Sequence, residues 1–143
     1  MKVLFDTSVI VAASLPKHPN HSSCFIQLQA AKSGQIEAYI STHTLAEAYS
    51  VLTRMPSQPR MSPSDAKALL SAHLSYIQAI SLELRDYQAA MDQMAALNLP
   101  GGGIFDALIA QAALKAAVDR ILTLNLKHFT RLSSTIAQIV QAP

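Results

Sequence analysis

Two polar side chains stand where strands are predicted to end, and ligands bind at that edge of an α/β sheet. Asp6 directly follows the apolar run "KVLF" at residues 2–5, and Asn125 directly follows "RILTL" at residues 120–124. In open sheets of parallel strands, ligands bind outside the carboxyl ends of the strands. Each residue taken alone is more often an ordinary helix cap. The interpretation as a binding site therefore depends on the other polar groups that join them.

Asp106 lies near the start of the apolar stretch "GGGIFDALIAQAALKAAV", residues 101–118, which is predicted to form a helix. At about 100° per residue, Asp106 falls roughly 140° from Gln111 and roughly 180° from Lys115, which mark the polar side of the helix. A negative charge in the first turn is also favoured by the helix dipole, which explains the residue without a function. The wheel predicts that the carboxylate faces away from solvent and toward the other polar groups.

Glu47 carries the weakest signal of the acidic residues. Thr44 and Glu47 have the spacing of a capping box, and Glu47 falls nearly opposite Leu45, Tyr49 and Leu52 on a helical wheel. These residues alone indicate a capping or surface glutamate.

Composition limits the class of protein. A chain of 143 residues fits one domain, residues 1–143, and can bury a full core. Cys24 is the single cysteine and has no disulfide partner within the chain, which suits a reducing cytoplasm. Asp6 interrupts the apolar N-terminus, so no signal peptide is predicted, and no apolar run approaches the roughly 18 residues of a membrane span. We expect a soluble, cytoplasmic protein with no membrane contact.

The net charge does not indicate a binding partner, but the low fraction of charged residues is informative. The net charge of +2 and the pI of 8.8 are too mild to predict nucleic-acid binding on their own. Charged residues make up 14% of the chain, against about 25% in a typical domain, while hydrophobic residues reach 50%. This excess predicts that some apolar surface is covered by another chain.

Strands and helices alternate along the sequence, which predicts a three-layer α/β/α fold around a mostly parallel sheet of four to five strands. The predicted strands are 2–5, 36–40, 76–81, 120–124 and 136–140. The predicted helices are 7–14 with Thr7 or Ser8 as cap, 20–33, 41–54, 62–74, 82–98, 103–118 and a turn at 125–129. Three prolines forbid regular structure in the loop 55–63. The stripe of Leu84, Tyr87, Met91, Met94 and Leu97 is predicted to pack in the core.

Four segments resemble the PIN domain family, of the VapC toxin type from bacterial and archaeal toxin–antitoxin pairs. They are "VLFDTSVI", "STHTLAEAYSVLTR", "LNLPGGGIFDALIAQAA" and "ILTLNLKHF", in that order and at ordinary spacings across essentially the whole chain. The resemblance implies a PIN-like fold and a metal-dependent endoribonuclease that leaves a 5′-phosphate and a 3′-hydroxyl. It also implies an RNA substrate and a cognate antitoxin as partners.

The same resemblance implies an acidic metal pocket made by Asp6, Glu47 and Asp106. Asp6 and Asp106 would be the principal ligands of Mg²⁺ or Mn²⁺, and Glu47 a further ligand or the base for the attacking water. Hard divalent cations bound by carboxylate oxygens activate water and neutralise charge on phosphate oxygens. Asn125 occupies a position that often holds a fourth Asp in the family. In this position it would orient a metal-bound water. The Asn125 side chain adds no negative charge, so the number of metal ions, one or two, stays undecided.

Substrate contacts are predicted at Thr7 and Ser8, through hydroxyls or amides, and at Lys127, with His128 and Arg131 beside it. Helix capping and a solvated basic face are the simpler interpretations of these residues. The other histidines, His18, His21, His43 and His73, have no spacing that requires a transition-metal site. The helix faces at residues 25–31 and 45–52 are candidates for homodimer and antitoxin contact.

Two rival enzyme classes lack their motifs. A haloacid-dehalogenase-type phosphatase needs a second Asp two residues after Asp6, where this chain has Ser8, and the glycines at 101–103 are not followed by the Gly-Lys-Ser/Thr of a P-loop. The alternative that stays open is a PIN-like module with weak or lost nuclease activity that acts by binding RNA or an antitoxin.

Overall fold

The computed structural model describes residues 1–56 and 60–143, so the predicted loop 55–63 lies partly outside the described residues. The strands are β1 (Lys2–Phe5), β2 (Glu37–Ser41), β3 (Ile77–Ile80), β4 (Arg120–Leu122) and β5 (Val140–Gln141). The helices are α1 (Thr7–Ser14), α2 (His21–Lys32), α3 (Thr42–Arg54), α4 (Pro63–His73), α5 (Leu84–Ala96), α6 (Gly103–Ala116), α7 (Leu126–Thr130) and α8 (Ser134–Ile139).

The five strands form one parallel sheet in the order β3-β2-β1-β4-β5. Successive residues of β1 face opposite sides of the sheet, as strand geometry requires. Phe5 packs in a core with α1 to α4, whereas Leu4 packs in a second core with α5 to α8. The predicted three-layer fold is confirmed, and the sheet is all-parallel.

The parallel arrangement brings all the strand ends to one edge of the sheet. There α1 begins directly after β1, α3 directly after β2, and α7 three residues after β4. The N-cap residues of these helices, which are Asp6, Ser41 and Asn125, therefore share that edge. The prediction that Asp6 directly follows a strand is confirmed, whereas β4 ends at Leu122, two residues earlier than predicted, so Thr123 and Leu124 separate it from Asn125.

Two predicted caps are wrong. The N-cap of α1 is Asp6, so Thr7 and Ser8 lie inside the helix. The N-cap of α3 is Ser41, whose Oγ accepts a hydrogen bond from the Thr44 N–H at 3.1 Å. Thr44 is therefore the third residue of α3 and does not form a capping box with Glu47, because the helix begins earlier than that spacing implied.

The predicted last strand at 136–140 is mostly helix. The Ser133 Oγ accepts a hydrogen bond from the Ile136 N–H at 3.2 Å, which starts α8, and only Val140 and Gln141 pair with β4. Ile136, Ile139 and Val140 have the three- and four-residue spacing of a helix face, which a short apolar run shares with a strand.

The apolar stripe predicted to pack in the core along α5 is buried at Met94, and the prediction is wrong for its other four residues. Leu84 is 73% exposed and Met91 54% exposed, and Tyr87 and Leu97 are exposed as well. The buried side of α5 is instead formed by Ala90 and Met94, one turn apart. The helix packs chiefly against α6, so it has one neighbour to cover it. Within the described residues, no helix is long and apolar enough to span a bilayer.

Candidate active site

Asp6 is the most deeply buried acid of the carboxyl edge, with 2% of its surface exposed. Its Oδ2 accepts hydrogen bonds from the Ser8 and Thr123 hydroxyls, both at 2.7 Å, and its N–H donates to the Leu122 carbonyl. Burial raises the pKa of the Asp6 carboxyl, and the hydrogen bonds from Ser8 and Thr123 oppose that rise. Both bonds are made to one oxygen, so the carboxylate orientation is fixed.

Asp106 is turned away from solvent, as the helical wheel predicts, with its side chain 16% exposed. Its pKa is raised to about 6, first by burial and then by the negative charges of Asp6 and Glu47, while the nearby His128 and Arg131 oppose the rise. His128 Nδ1 lies 3.2 Å from Asp106 Oδ2. The three predicted acids therefore interact as charges across the carboxyl edge.

Glu47 lies on the flank of the buried side of α3, which is formed by Thr44, Ala48 and Leu52. Its Oε2 is 3.1 Å from His43 Nε2, one turn earlier in the same helix. Glu47 is thus a half-buried acid with a specific partner, and the prediction of a plain surface or capping residue is wrong.

Asn125 is exposed at the start of α7, and its side chain makes no capping hydrogen bond there. Its backbone N–H donates to Thr123 Oγ1 at 2.9 Å, and the same hydroxyl donates to Asp6 Oδ2. Thr123 therefore joins the ends of β4 and β1. The Asn125 amide remains available to a ligand at this edge.

The predicted substrate residues lie in different surroundings. Thr7 is buried, and its hydroxyl donates to Thr44 Oγ1 at 3.3 Å. The Ser8 hydroxyl donates to Asp6 and accepts from the Leu124 N–H at 3.1 Å. Lys127 is exposed on α7. Substrate contact at all three stays a prediction, and for Thr7 and Ser8 it would require the hydroxyls to exchange protein partners.

Three side chains of the site were not predicted in the roles that the structure gives them. Thr123 was assigned only to a strand, His128 only to an RNA path, and His43 was considered only as a transition-metal ligand. The His43–Glu47 pair could have been found from its four-residue separation in a predicted helix. The contacts of Thr123 and His128 join distant parts of the sequence, and no local pattern signals them.

The donor set fits a magnesium-type ion. Within residues 1–56 and 60–143, no three His, Cys, Asp or Glu side chains are placed closely enough to hold a metal by themselves. Mg²⁺ is rarely coordinated by protein side chains alone. It is typically bound by one or two carboxylates, and water and substrate phosphate supply its other ligands. Asp6 accepts its side-chain hydrogen bonds at Oδ2, and His128 lies against Oδ2 of Asp106. The negative charges of Asp6 and Glu47 raise the pKa of Asp106, which indicates a local excess of negative charge.

These features define a parallel α/β protein with an acidic pocket at the strand ends. The family model described as "PIN domain" matches residues 2–127. The chain belongs to the PIN domain family.

Its similar relatives carry the name VapC. The chain is 33% identical to ribonuclease VapC40 of Mycobacterium tuberculosis over 122 residues, which cover 85% of each protein. It is 34% identical to ribonuclease VapC27 of the same organism over 108 residues, covering 76% of this chain and 74% of the relative.

Two solved structures share the fold. A complex of VapBC2 from Rickettsia felis with a DNA fragment from its promoter matches with a TM-score of 0.70 and 23% identity, over 100% of this chain and 99% of the other. VapC20 of M. tuberculosis, titled a sarcin-ricin loop cleaving toxin, matches with a TM-score of 0.67 and 18% identity, over 83% and 86% of the two chains. At these identities the likeness concerns the fold.

Proposed function

We propose that this PIN domain protein is an endoribonuclease that hydrolyses RNA phosphodiester bonds with Mg²⁺ or Mn²⁺ and serves as the toxin of a toxin–antitoxin pair. The observation that carries the proposal is the set of three charge-coupled carboxylates, Asp6, Glu47 and Asp106, at the carboxyl edge. The ribonuclease names of the relatives VapC40 and VapC27 support it.

Asp6 and Asp106 would hold the divalent ion, with Glu47 as a further ligand or as a base. When bound, such an ion supplies positive charge for the phosphate oxygens and lowers the pKa of a bound water. The protein's own contribution is a rigid frame for these oxygens. The Ser8 and Thr123 hydroxyls fix Asp6, and His128 holds one oxygen of Asp106.

Glu47 is suited to accept a proton from the attacking water. His43 engages its Oε2, so the orientation of the carboxylate is set by a neighbour on the same helix. Asn125 has an exposed amide at the adjacent strand end and would hold the water in line with the scissile bond. In-line attack opposite the 3′ oxygen would break the P–O3′ bond, and the 3′ oxygen would leave and take up a proton, which gives the 5′-phosphate and 3′-hydroxyl that the family resemblance implies.

Cationic side chains beside the pocket fit an RNA backbone. Lys127 and His128 are exposed on α7, and Arg131 follows at the end of that helix close enough to lower the pKa of Asp106. Contacts from such residues to phosphates position a nucleic acid without reading its sequence.

An antitoxin and a second copy of the chain are the proposed protein partners. The predicted contact faces at 25–31 and 45–52 keep Phe25, Ile26 and Tyr49 exposed. The VapBC2 structure of R. felis contains such a pair by its title. Light scattering over micromolar concentrations tests the homodimer, and a monomer throughout would contradict it. A cytoplasmic location stays part of the proposal.

The decisive experiment compares cleavage of a structured RNA by the wild type and by Asp6→Asn and Asp106→Asn variants, with Mg²⁺ or with a chelator. Asp92→Asn is the matched control, because Asp92 is an exposed acid on α5. We expect loss of cleavage in both site variants and with chelator, and wild-type cleavage in the control. Equal cleavage by all four proteins would refute the nuclease assignment.

Asn125 supports a second candidate function, a module that binds RNA or an antitoxin with little catalysis, since its amide adds no charge to the pocket. In that case the wild type would bind RNA or its antitoxin and would cleave no faster than Asp6→Asn.

A further inference from the structure

Two aromatic rings are stacked at the rim of the acidic pocket. The ring of His43, in the first turn of α3, lies 4.9 Å from the ring of Phe105, in the first turn of α6, and their planes differ by 12°. Both helices begin at the carboxyl edge of the sheet, and they pack against each other. The stack therefore joins two elements that also carry the acids of the pocket.

Each ring of the stack is tied to a proposed catalytic acid. His43 Nε2 lies 3.1 Å from Glu47 Oε2, which fixes the plane of the imidazole. Phe105 directly precedes Asp106 in α6. A planar group on this stack would thus lie beside the position at which the scissile phosphate is expected.

The Phe105 ring of the stack is accessible. His43 is mostly covered, whereas Phe105 is 44% exposed although it is a large apolar residue. The His43 ring lies nearly parallel to Phe105 and against one of its faces, so a further planar group could stack on Phe105 only from the side away from His43.

We propose that the His43–Phe105 stack is a base-binding platform, on which an unpaired nucleobase next to the scissile phosphate stacks against Phe105. This inference rests on the proposed nuclease function and deepens it by naming the side chains that would position an unpaired base beside the scissile phosphate. Bases within a duplex are stacked on each other, so only an unpaired base can occupy the platform. Stacking on an aromatic ring tolerates any base, because every base has a flat face.

The surrounding charges agree with this occupant. His128 and Arg131 lie close to Asp106, and Lys127 is exposed on the same short helix α7 as His128, so these side chains could meet the phosphates that flank a stacked base. An apolar ring flanked by cations is the combination that binds single strands in other proteins.

The chain offers a matched control in a second stack of the same chemistry. His21 and Phe25 of α2 have ring centres 5.2 Å apart at 26°, and Phe25 is exposed to a similar extent. His21 Nδ1 lies 3.0 Å from a backbone carbonyl, that of Ala12, so this pair is tied to no acid. It tests whether an exposed His–Phe stack binds RNA wherever it lies.

The test measures binding of a short single-stranded RNA that contains 2-aminopurine, whose fluorescence is quenched by stacking, in the Asp6→Asn background. We expect Phe105→Leu to weaken binding roughly 5- to 150-fold and to reduce the quenching. Phe105→Tyr keeps the ring and should bind like its parent, as should His21→Gln, which breaks the second stack outside the proposed protein-contact faces. His43→Gln removes the supporting ring and keeps a hydrogen-bonding group for Glu47, so it should weaken binding less than Phe105→Leu.

Steady-state cleavage in the wild-type background gives a second readout. Phe105→Leu should raise KM with little change in kcat, and a fully base-paired RNA should be a poor substrate for every variant. Circular dichroism melts of each variant confirm folding, and His43→Gln provides an independent arm if Phe105→Leu does not fold.

The outcomes separate the two proposals. If the wild type cleaves RNA and Phe105→Leu matches it in binding, quenching and KM, the platform is refuted and the nuclease stands. If the wild type does not cleave but binds RNA in a manner that depends on Phe105, the nuclease is refuted and the platform stands. If no RNA binds, or if His21→Gln weakens binding as much as His43→Gln, the platform is refuted.

Discussion

The adjacent helices α5 and α6 both show strong apolar patterns, but the structure uses the two patterns in opposite ways. In α6, six consecutive or nearly consecutive apolar residues are fully buried, and the one early acid, Asp106, is turned inward to the pocket. In α5, the most regular apolar stripe includes Leu84 and Met91, and both are exposed.

The difference follows from the number of neighbours. Helix α6 packs against α3, α5, α7 and the strands β2 and β3, whereas α5 packs chiefly against α6. Periodicity identifies the apolar side of a helix, but the elements around the helix decide how much of that side is covered. For α6 the surroundings cover most of the apolar residues, so a carboxylate that is turned inward there is unusual.

The Asp106→Asn substitution in α6 should have opposite effects on activity and on stability. We expect cleavage to fall at least about 100-fold, since a proposed metal ligand is lost. The melting temperature of the metal-free protein should rise by several degrees near neutral pH, because the variant buries no charge next to Asp6 and Glu47. A variant that loses activity and also stability would indicate a structural role instead.

The pH dependence of that stability gain has a definite sign. The pKa of Asp106 rises from about 3.8 to about 6 on folding, so the folded protein binds more protons than the unfolded chain between these values. The contribution of Asp106 to stability therefore falls as the pH rises through this window. Wild type and Asp106→Asn should differ in melting temperature more at neutral pH than near pH 4, and a constant difference would contradict this account.

Two identical substitutions in α5 distinguish its covered side from its exposed side. Met94 is buried against α6, and Met91 lies three residues earlier at the surface. Met94→Ala should lower the free energy of unfolding by about 2 to 5 kcal/mol, as truncations in a core do. Met91→Ala should change it by no more than about 0.5 kcal/mol, and equal losses in urea denaturation would show that the stripe is buried after all.

The smallest effect is expected from polar replacement of the exposed stripe. Leu84→Gln and Met91→Gln should each leave the unfolding free energy within about 0.5 kcal/mol of the wild type, because neither side chain leaves a core. Loss of several kcal/mol in dilute protein would mean that a contact of this stripe stabilises the single chain.

Much of the fold could be predicted because strands and caps carry local signals. Asp6 directly follows β1, and Ser62, where the predicted helix 62–74 begins, caps α4 by accepting the Asp65 N–H. The pattern at Ile136 and Val140 was ambiguous because a short apolar run has no unique period. The outer position of α5 depends on how helices pack, which no local pattern contains.

The site could be predicted in part for the same reason. The helical wheel predicts that the Asp106 carboxylate faces away from solvent. The family resemblance implies that it lies beside Asp6 and Glu47. The contacts that orient these acids come from Thr123, His43 and His128, and two of the three join residues that are distant in the sequence. Such contacts exist only after the sheet has brought the strand ends together.

The central claim is that Asp6 and Asp106 share one pocket and interact as charges. The most direct test is a carboxyl-carbon NMR titration of Asp106 in the metal-free wild type and in Asp6→Asn. We predict a pKa of about 6 in the wild type, and a lower value in Asp6→Asn because the repelling charge is gone. An Asp106 pKa that is ordinary in the wild type, or that is unchanged by Asp6→Asn, would contradict the account.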